Sequence, residues 1–301
     1  MSRVVIHIGL HKTGSTYLQE TFFPRLNVDL VTDIGQRHLR DLSTGGMEAV
    51  AETARQSELF GRTFIWSQEA LSGRADGNLS VDYKAVAERL KKLFPSATIL
   101  IVLRRPRDYI FSLFRYYTVN RGLVWRDLGS YLDANFLARL APKLDYRHLV
   151  SLYRDLFGSK QVVVLRYEDF RDHPERFLTT ISSLCDCDLP RPIETERVNR
   201  SFRSARAITM HRILNLPVIL TCALLERCGA TVSAKEVRRW FREFKPRKLM
   251  PLTRWLDRER SKGLEVPERW ERQIAILDEL YDTQIEFNGI ASCAGRQGRR
   301  S

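Results

Sequence analysis

Residues 4–26 read VVIHIGLHKTGSTYLQETFFPRL, and the architecture of the chain is argued outward from them. The opening run Val4, Val5, Ile6, His7, Ile8 is too short for a helix and rich in β-branched side chains, which predicts a buried strand. Gly9 ends it. A tight loop holding Lys12 and Thr13 then runs to Gly14 and is followed by Ser15 and Thr16. From Thr16 the spacing of Tyr17, Leu18, Thr21 and Phe22 becomes helical, so a helix with a hydroxyl residue at its N-cap is expected. Strand, glycine-bounded loop and helix start make an anion cradle, because unpaired backbone N–H groups and the positive end of the helix dipole converge on one point.

The order of residues in the cradle narrows the choice of anion. A nucleotide triphosphatase loop, G-x-x-x-x-G-K-[ST], carries its lysine after the second glycine, where it reaches the β- and γ-phosphates. In GLHKTGST that slot is Ser15, and Lys12 lies inside the loop. This weakens an ATPase or kinase reading, and a departed P-loop kinase using ATP stays as one alternative. Residues 96–103 (SATILIVL) predict a second buried strand, which runs straight into Arg104, Arg105, Pro106, Arg107, Asp108, Tyr109, Ile110, Phe111 and Ser112.

With both stretches in view the chain resembles the sulfotransferases that use 3′-phosphoadenosine 5′-phosphosulfate (PAPS). The resemblance rests on KTG[ST]T after the first strand and on LR-x-P at the end of a later strand, with a serine eight residues past the arginine. It implies that Lys12, Thr13, Gly14, Ser15 and Thr16 hold the 5′-phosphosulfate and that Arg104 and Ser112 hold the 3′-phosphate. The chemistry agrees, since a terminal phosphate dianion suits a guanidinium fork and a hydroxyl. One position departs from the pattern of carbohydrate sulfotransferases: an arginine three residues before the serine is replaced by Tyr109, with Arg105 or Arg107 left to supply the charge. The segment TFIWSQE, with a strand expected over 63–66, resembles the strand followed by S-x-E of the same family. It makes Glu69 the first choice of general base; the other reading of Glu69 is an acid at a helix start that complements the dipole.

Bulk properties set the frame. A chain of 301 residues can bury the core of one large α/β domain, and neither a repeat nor a dividing linker is seen. A formal net charge of +13 favours an acidic partner such as a nucleotide, an anionic glycan, a nucleic acid or a membrane surface. Five cysteines (185, 187, 222, 228, 293) form no pair of C-x-x-C motifs, so reduced thiols and no metal site are expected. The strand begins almost at the first residue, from which no cleavable leader and a cytoplasmic location are expected. The longest apolar run, 213–225, falls short of the roughly 20 residues that span a bilayer.

Further along, helices are expected over 47–60, 81–94, 146–157 and 266–287, and a strand over 161–165 that ends in RYEDF. Glu168 and Asp169 of that string are read as structural acids and as a weaker alternative source of the base. Asn199, Arg200, Ser201 and Phe202 resemble an N-x-S element near the nucleotide. The aromatics after Pro106 read as core in preference to a stacking platform. Residues 229–262 carry eleven Lys or Arg against four acids with Trp240, Phe241, Phe244 and Trp255 interleaved, either helices with solvated faces or a surface for a charged or sugar-rich acceptor.

The expected fold is therefore a single α/β sulfotransferase domain, P-loop-like, with a mostly parallel sheet and helices on both faces: a nucleotide-binding core over 1–200, a helical part over 201–293 and a basic tail over 294–301. The expected reaction moves a sulfuryl group from PAPS, without a metal, to an acceptor hydroxyl on a carbohydrate. Lys12 stabilises the leaving phosphate, Glu69 takes the proton, and the product is adenosine 3′,5′-bisphosphate (PAP). No nucleic acid is expected as a partner, and a peripheral membrane contact is left open. The second alternative is a non-catalytic binder of anionic polymer acting through the basic region.

Overall fold

Strand β1 (Val4–Gly9) is central in a five-stranded sheet of order β2-β3-β1-β4-β5, with β2 at Asp29–Val31, β3 at Phe64–Ser67, β4 at Thr98–Leu103 and β5 at Val162–Arg166. Every pair is parallel. The computed structural model describes residues 3–32, 46–73, 83–120, 128–193 and 266–288. Parallel strands covered on both faces should read as unbroken apolar runs. β1 and β4 do so: each is buried at every position after its first.

The chain winds from β1 outward to β2 and β3 on one side and then returns to β4 and β5 on the other. The direction reverses between β1 and β4, and the crevice outside the carboxyl ends at such a reversal is where open α/β sheets bind ligands. Register fixes what arrives there. Gly9 pairs with Val102 and His7 with Ser67, so the loops after β1, β3 and β4 emerge side by side.

Side chains alternate across each strand, and both faces are covered. On one face Val5, Leu100, Val102, Val163 and Leu165 pack against Tyr17, Leu18, Phe22 and Phe23 and against Phe177, Leu178 and Ile181 of a helix at Pro174–Leu184. The first four come from an irregular helical run: α1 (Ser15–Tyr17), a π turn (Leu18–Phe22) and a 3-10 turn (Phe23–Arg25). Toward the other face, α2 (Gly46–Leu59) packs with α3 (Tyr83–Leu93), α3 packs with a helix at Tyr146–Phe157, and the latter lies on β4 and β5. Buried Leu149, Val150, Tyr153 and Phe157 are the stripe its 3.6-residue spacing foretells. Beyond the C-terminal helix α10 (Glu268–Thr283), Asn288 pairs through its amide and side chain with Val164 and so occupies the free edge of β5. Here α4 (Pro106–Asn120) to α9 are numbered in chain order: α5 is Leu128–Asn135, α6 is Ala141–Leu144, α7 is Tyr146–Phe157, α8 is Tyr167–Asp172 and α9 is Pro174–Leu184.

The chain divides into two compact units: Met1–Tyr109, Leu137–Val198 and Ile274–Ser301 form the first, which holds the sheet, and Ile110–Phe136 and Asn199–Gln273 the second. Within the second, Phe114 packs on Tyr131 and Phe136 on Trp270, and Asp133 accepts from Arg269 and from the Trp270 indole at 2.7 Å. The segments 199–202, 213–225, 229–262 and 294–301 singled out in the sequence, with Cys222, Cys228 and Cys293, lie outside the described residues. Among the described residues no helix is long and apolar enough to cross a membrane.

Candidate active site

Gly9 is the last residue of β1, and there is little room for a side chain there. A Cβ at Gly9 would lie 2.6 Å from Ser15 Oγ, closer than real Cβ atoms come, and 3.0 Å from the His7 ring. Below this point the buried His7 Nδ1 meets Ser67 Oγ at 2.7 Å, and Gln19 donates to the same hydroxyl at 3.1 Å, which ties β1, β3 and the helical run together. Burial pulls the His7 imidazole down to about 3, so it is a neutral structural group. Gly9→Ala is accordingly expected to cost about 1–3 kcal/mol of stability by overpacking and to disturb the loop that follows β1. Thermal unfolding checks it, and an unchanged melting temperature would refute it.

After Gly9 the backbone turns sharply. Lys12 adopts a φ of 70° and Gly14 a φ of 86°, both in the left-handed region. Gly14 is the N-cap of α1, and no side chain caps this helix. This corrects the expected hydroxyl cap: Thr13 Oγ1 and Ser15 Oγ instead turn inward to the Leu10 carbonyl. The Thr13 hydroxyl braces the loop from within. The first helical hydrogen bond is Leu18 N to Gly14 O at 3.1 Å, so the N–H groups before it have no intrahelical acceptor. Gly14 is also needed for space, since its Cβ would come within 3.3 Å of the Phe170 ring and 3.4 Å of Tyr167.

Three charged side chains from three strand ends gather at this loop. Lys12, half-buried, is pulled down to about 8 by desolvation, with Glu69 opposing and Arg104 reinforcing the shift. Glu69 opens the 3-10 turn Glu69–Ser72 after β3. Burial raises its carboxyl above the usual range, against a hydrogen bond from Ser15 and the charges of Lys12 and Lys143. His11 Nε2 stands 3.6 Å from Glu69 Oε2. Arg104, just past β4, donates from Nη1 to the Lys12 carbonyl at 2.9 Å, its guanidinium lies 4.6 Å from the Tyr167 ring centre, and its own carbonyl accepts from Tyr146 Oη. Ser72 reaches back to the Gly9 carbonyl at 3.3 Å, and Lys143 donates to Ser72 O.

Lys12, Thr13, Gly14, Ser15, Thr16, Glu69 and Arg104 thus share one crevice in the first unit. Ser112 is placed on the part of α4 that belongs to the second unit, half-exposed. Arg105 and Arg107 are each paired with a carboxylate. Arg105 holds Asp282 with bonds of 2.9 and 2.7 Å, and Arg107 holds Asp278. Tyr109, standing where the resemblance calls for arginine, is fully buried. Glu168 is structural, as expected: it accepts from the Arg105 amide and from Tyr281 Oη. His11, Lys143, Tyr146 and Tyr167 were not singled out from the sequence. Adjacency to Lys12 was the available signal for His11; the other three reach the loop only through the fold. The crevice can do three things chemically: hold a chain of anionic groups against amides, a lysine and an arginine; place an ammonium at a departing oxyanion; and offer a partly desolvated carboxylate as proton acceptor. Among the described residues no group of three or more His, Cys, Asp or Glu is placed to hold a metal ion.

The profile described as Sulfotransferase family matches residues 38–191, just over half of the chain. No curated protein matches. Among solved structures, a sulfotransferase from Alicyclobacillus acidocaldarius is similar at 19% identity and a TM-score of 0.45, covering 65% of this chain and 87% of that one. Mouse sulfotransferase SULT7A1 complexed with PAP is similar at 14% identity and a TM-score of 0.40, covering 63% of this chain and 59% of that one. A retinol dehydratase in complex with androsterone and PAP gives 13% identity and a TM-score of 0.36, covering 94% and 82%.

Proposed function

The chain belongs to the sulfotransferase family, and on that premise we propose that it moves a sulfuryl group from PAPS to a hydroxyl of a carbohydrate acceptor. The observation that carries this reading is the 2.9 Å bond from the Arg104 guanidinium to the Lys12 carbonyl. It sets a fixed cation for one end of the nucleotide beside the amide-lined loop for the other. PAPS supplies an activated sulfuryl group on a phosphate leaving group and a 3′-phosphate by which it can be told from other adenine nucleotides.

The residues divide the work by position. Thr16 and the amides of the loop from Lys12 to Ser15 hold the phosphosulfate; left-handed turns at Lys12 and Gly14 shape that loop. Lys12 stabilises the charge that builds on the bridging oxygen as the S–O bond lengthens, and by analogy with phosphoryl transfer this state is loose. Glu69 accepts the proton of the attacking hydroxyl. Arg104 takes the 3′-phosphate. A sugar hydroxyl suits this site because it needs help from a base, and the strong net positive charge suits an acidic glycan. The acceptor is tested by screening neutral and acidic sugars with labelled PAPS; label transfer to phenols or sterols and to no sugar refutes the carbohydrate.

Arg104→Ala is expected to weaken PAP binding by about ten- to a hundredfold, the size of a charge-assisted hydrogen bond, and that of adenosine 5′-phosphate by less than half as much on a logarithmic scale. Titration calorimetry with the two nucleotides checks it. Equal losses for both would move Arg104 away from the 3′-phosphate.

A further inference from the structure

The four-residue turn Arg104 to Arg107 carries three guanidinium groups, yet the structure treats them differently. Arg105 forms a two-bond fork with Asp282, and Arg107 an ion pair of 3.3 Å with Asp278. The amides that begin helix α4 are also taken. Arg105 N donates to Glu168 Oε1 at 3.1 Å and Arg107 N to Asp278 Oδ1 at 3.0 Å; Pro106 between them has no N–H. Tyr281 Oη closes the set by donating to Glu168 Oε2 at 2.7 Å. A helix start is ordinarily a ready anion site, and here carboxylates already fill it. Asp278 and Asp282 are spaced by four and so lie on one face of α10, turned to this turn.

Resting on the reading of Arg104 as the 3′-phosphate ligand, we infer that α10 is a working part of the nucleotide site: Asp278 and Asp282 are positioning residues that anchor the turn and neutralise Arg105 and Arg107, so that Arg104 alone is presented to the phosphate. Each ion pair alone is partly exposed and weak. Together with the two amide bonds they fix the backbone from which Arg104 leaves β4. The consequence is selectivity. One aimed guanidinium rewards a 3′-phosphate, whereas three loose ones would reward any anion.

The test measures the preference for PAP over adenosine 5′-phosphate by calorimetry on the full chain, for Asp282→Asn, Arg105→Ala and their combination, with the matching set Asp278→Asn, Arg107→Ala and their combination in its place if Asp282→Asn fails to fold. The two single changes are expected to lower the preference by the same factor, about three- to tenfold, and the combination no further, as for two members of one contact. A preference for PAP that rises in Asp282→Asn would mean that a freed Arg105 is itself a 3′-phosphate ligand and would overturn the inference, as would an unchanged preference. Arg104→Ala run alongside separates the two levels. If it lowers the preference and Asp282→Asn does not, only the role of α10 falls; if it leaves the preference intact, the reading of Arg104 falls and the inference with it.

Discussion

Replacing Lys12 by alanine is expected to lower turnover about 10²–10³-fold, the effect of removing one donor at a developing oxyanion, while PAP affinity falls only a few-fold. The split follows from what the side chain meets. Amides, hydroxyls and Arg104 remain to hold the ground-state nucleotide, whereas the charge on the bridging oxygen appears only as the sulfuryl group departs. The pH dependence carries the same signature, and its sign can be worked out. Burial has brought the Lys12 ammonium down to about 8, so the required cation is lost as pH rises through about 8. The kcat/KM for PAPS, which reports the free enzyme, should fall on that alkaline side. The kcat should hold to higher pH, because bound anions restore the proton. Lys12→Arg keeps a charge that does not titrate in this range, and whatever activity it retains should lack the alkaline fall. Equal turnover in Lys12→Ala and the parent protein, measured as PAP release with an acceptor found by the sugar screen, would remove Lys12 from the chemistry.

How far this site could be read in advance depended on how local its causes are. Buried parallel strands are apolar at nearly every position, and the runs at 4–8, 63–66 and 161–165 predicted β1, β3 and β5 to within a residue at either end, while the stretch 96–103 starts two residues before β4. β2 escaped because an edge strand of three half-buried residues leaves no run to see. Lys12, Glu69 and Arg104 each sit just past a strand end, and a parallel sheet brings such ends together whatever the intervening helices do. The misreadings were non-local or depended on a choice between partners. A hydroxyl beside a helix start can cap it or turn to a nearby carbonyl; Thr13 and Ser15 do the second, and Gly14 takes the cap. The pairing of Arg105 and Arg107 was equally out of reach of local spacing, since their carboxylate partners lie 177 and 171 residues further along. Charge counted along a sequence says little about charge left over after folding.

Glu69→Gln separates the two readings of that residue, because it moves rate and affinity in opposite directions. The amide keeps the shape and the neighbours but cannot take a proton, so kcat should fall by about 10²–10⁴, the usual worth of a positioned base. Binding should strengthen. The carboxylate now sits beside Lys12 and repels an incoming anion, and its removal leaves the cradle more positive. In the parent protein the acid side of the kcat profile should lie above the ordinary carboxylate range, since desolvation raises the Glu69 carboxyl. Activity rises as the pH passes that value and the base ionises, and the step should vanish in the Gln variant. An acid that merely complements the start of the Glu69–Ser72 turn would behave otherwise: Glu69→Gln would leave kcat and its acid limb unchanged and lower only stability, by about 0.3–1 kcal/mol. Stopped-time assays across pH, with PAP calorimetry on the same protein, distinguish the two, and a full-rate Gln variant would pass the proton to His11, 3.6 Å away, or to solvent.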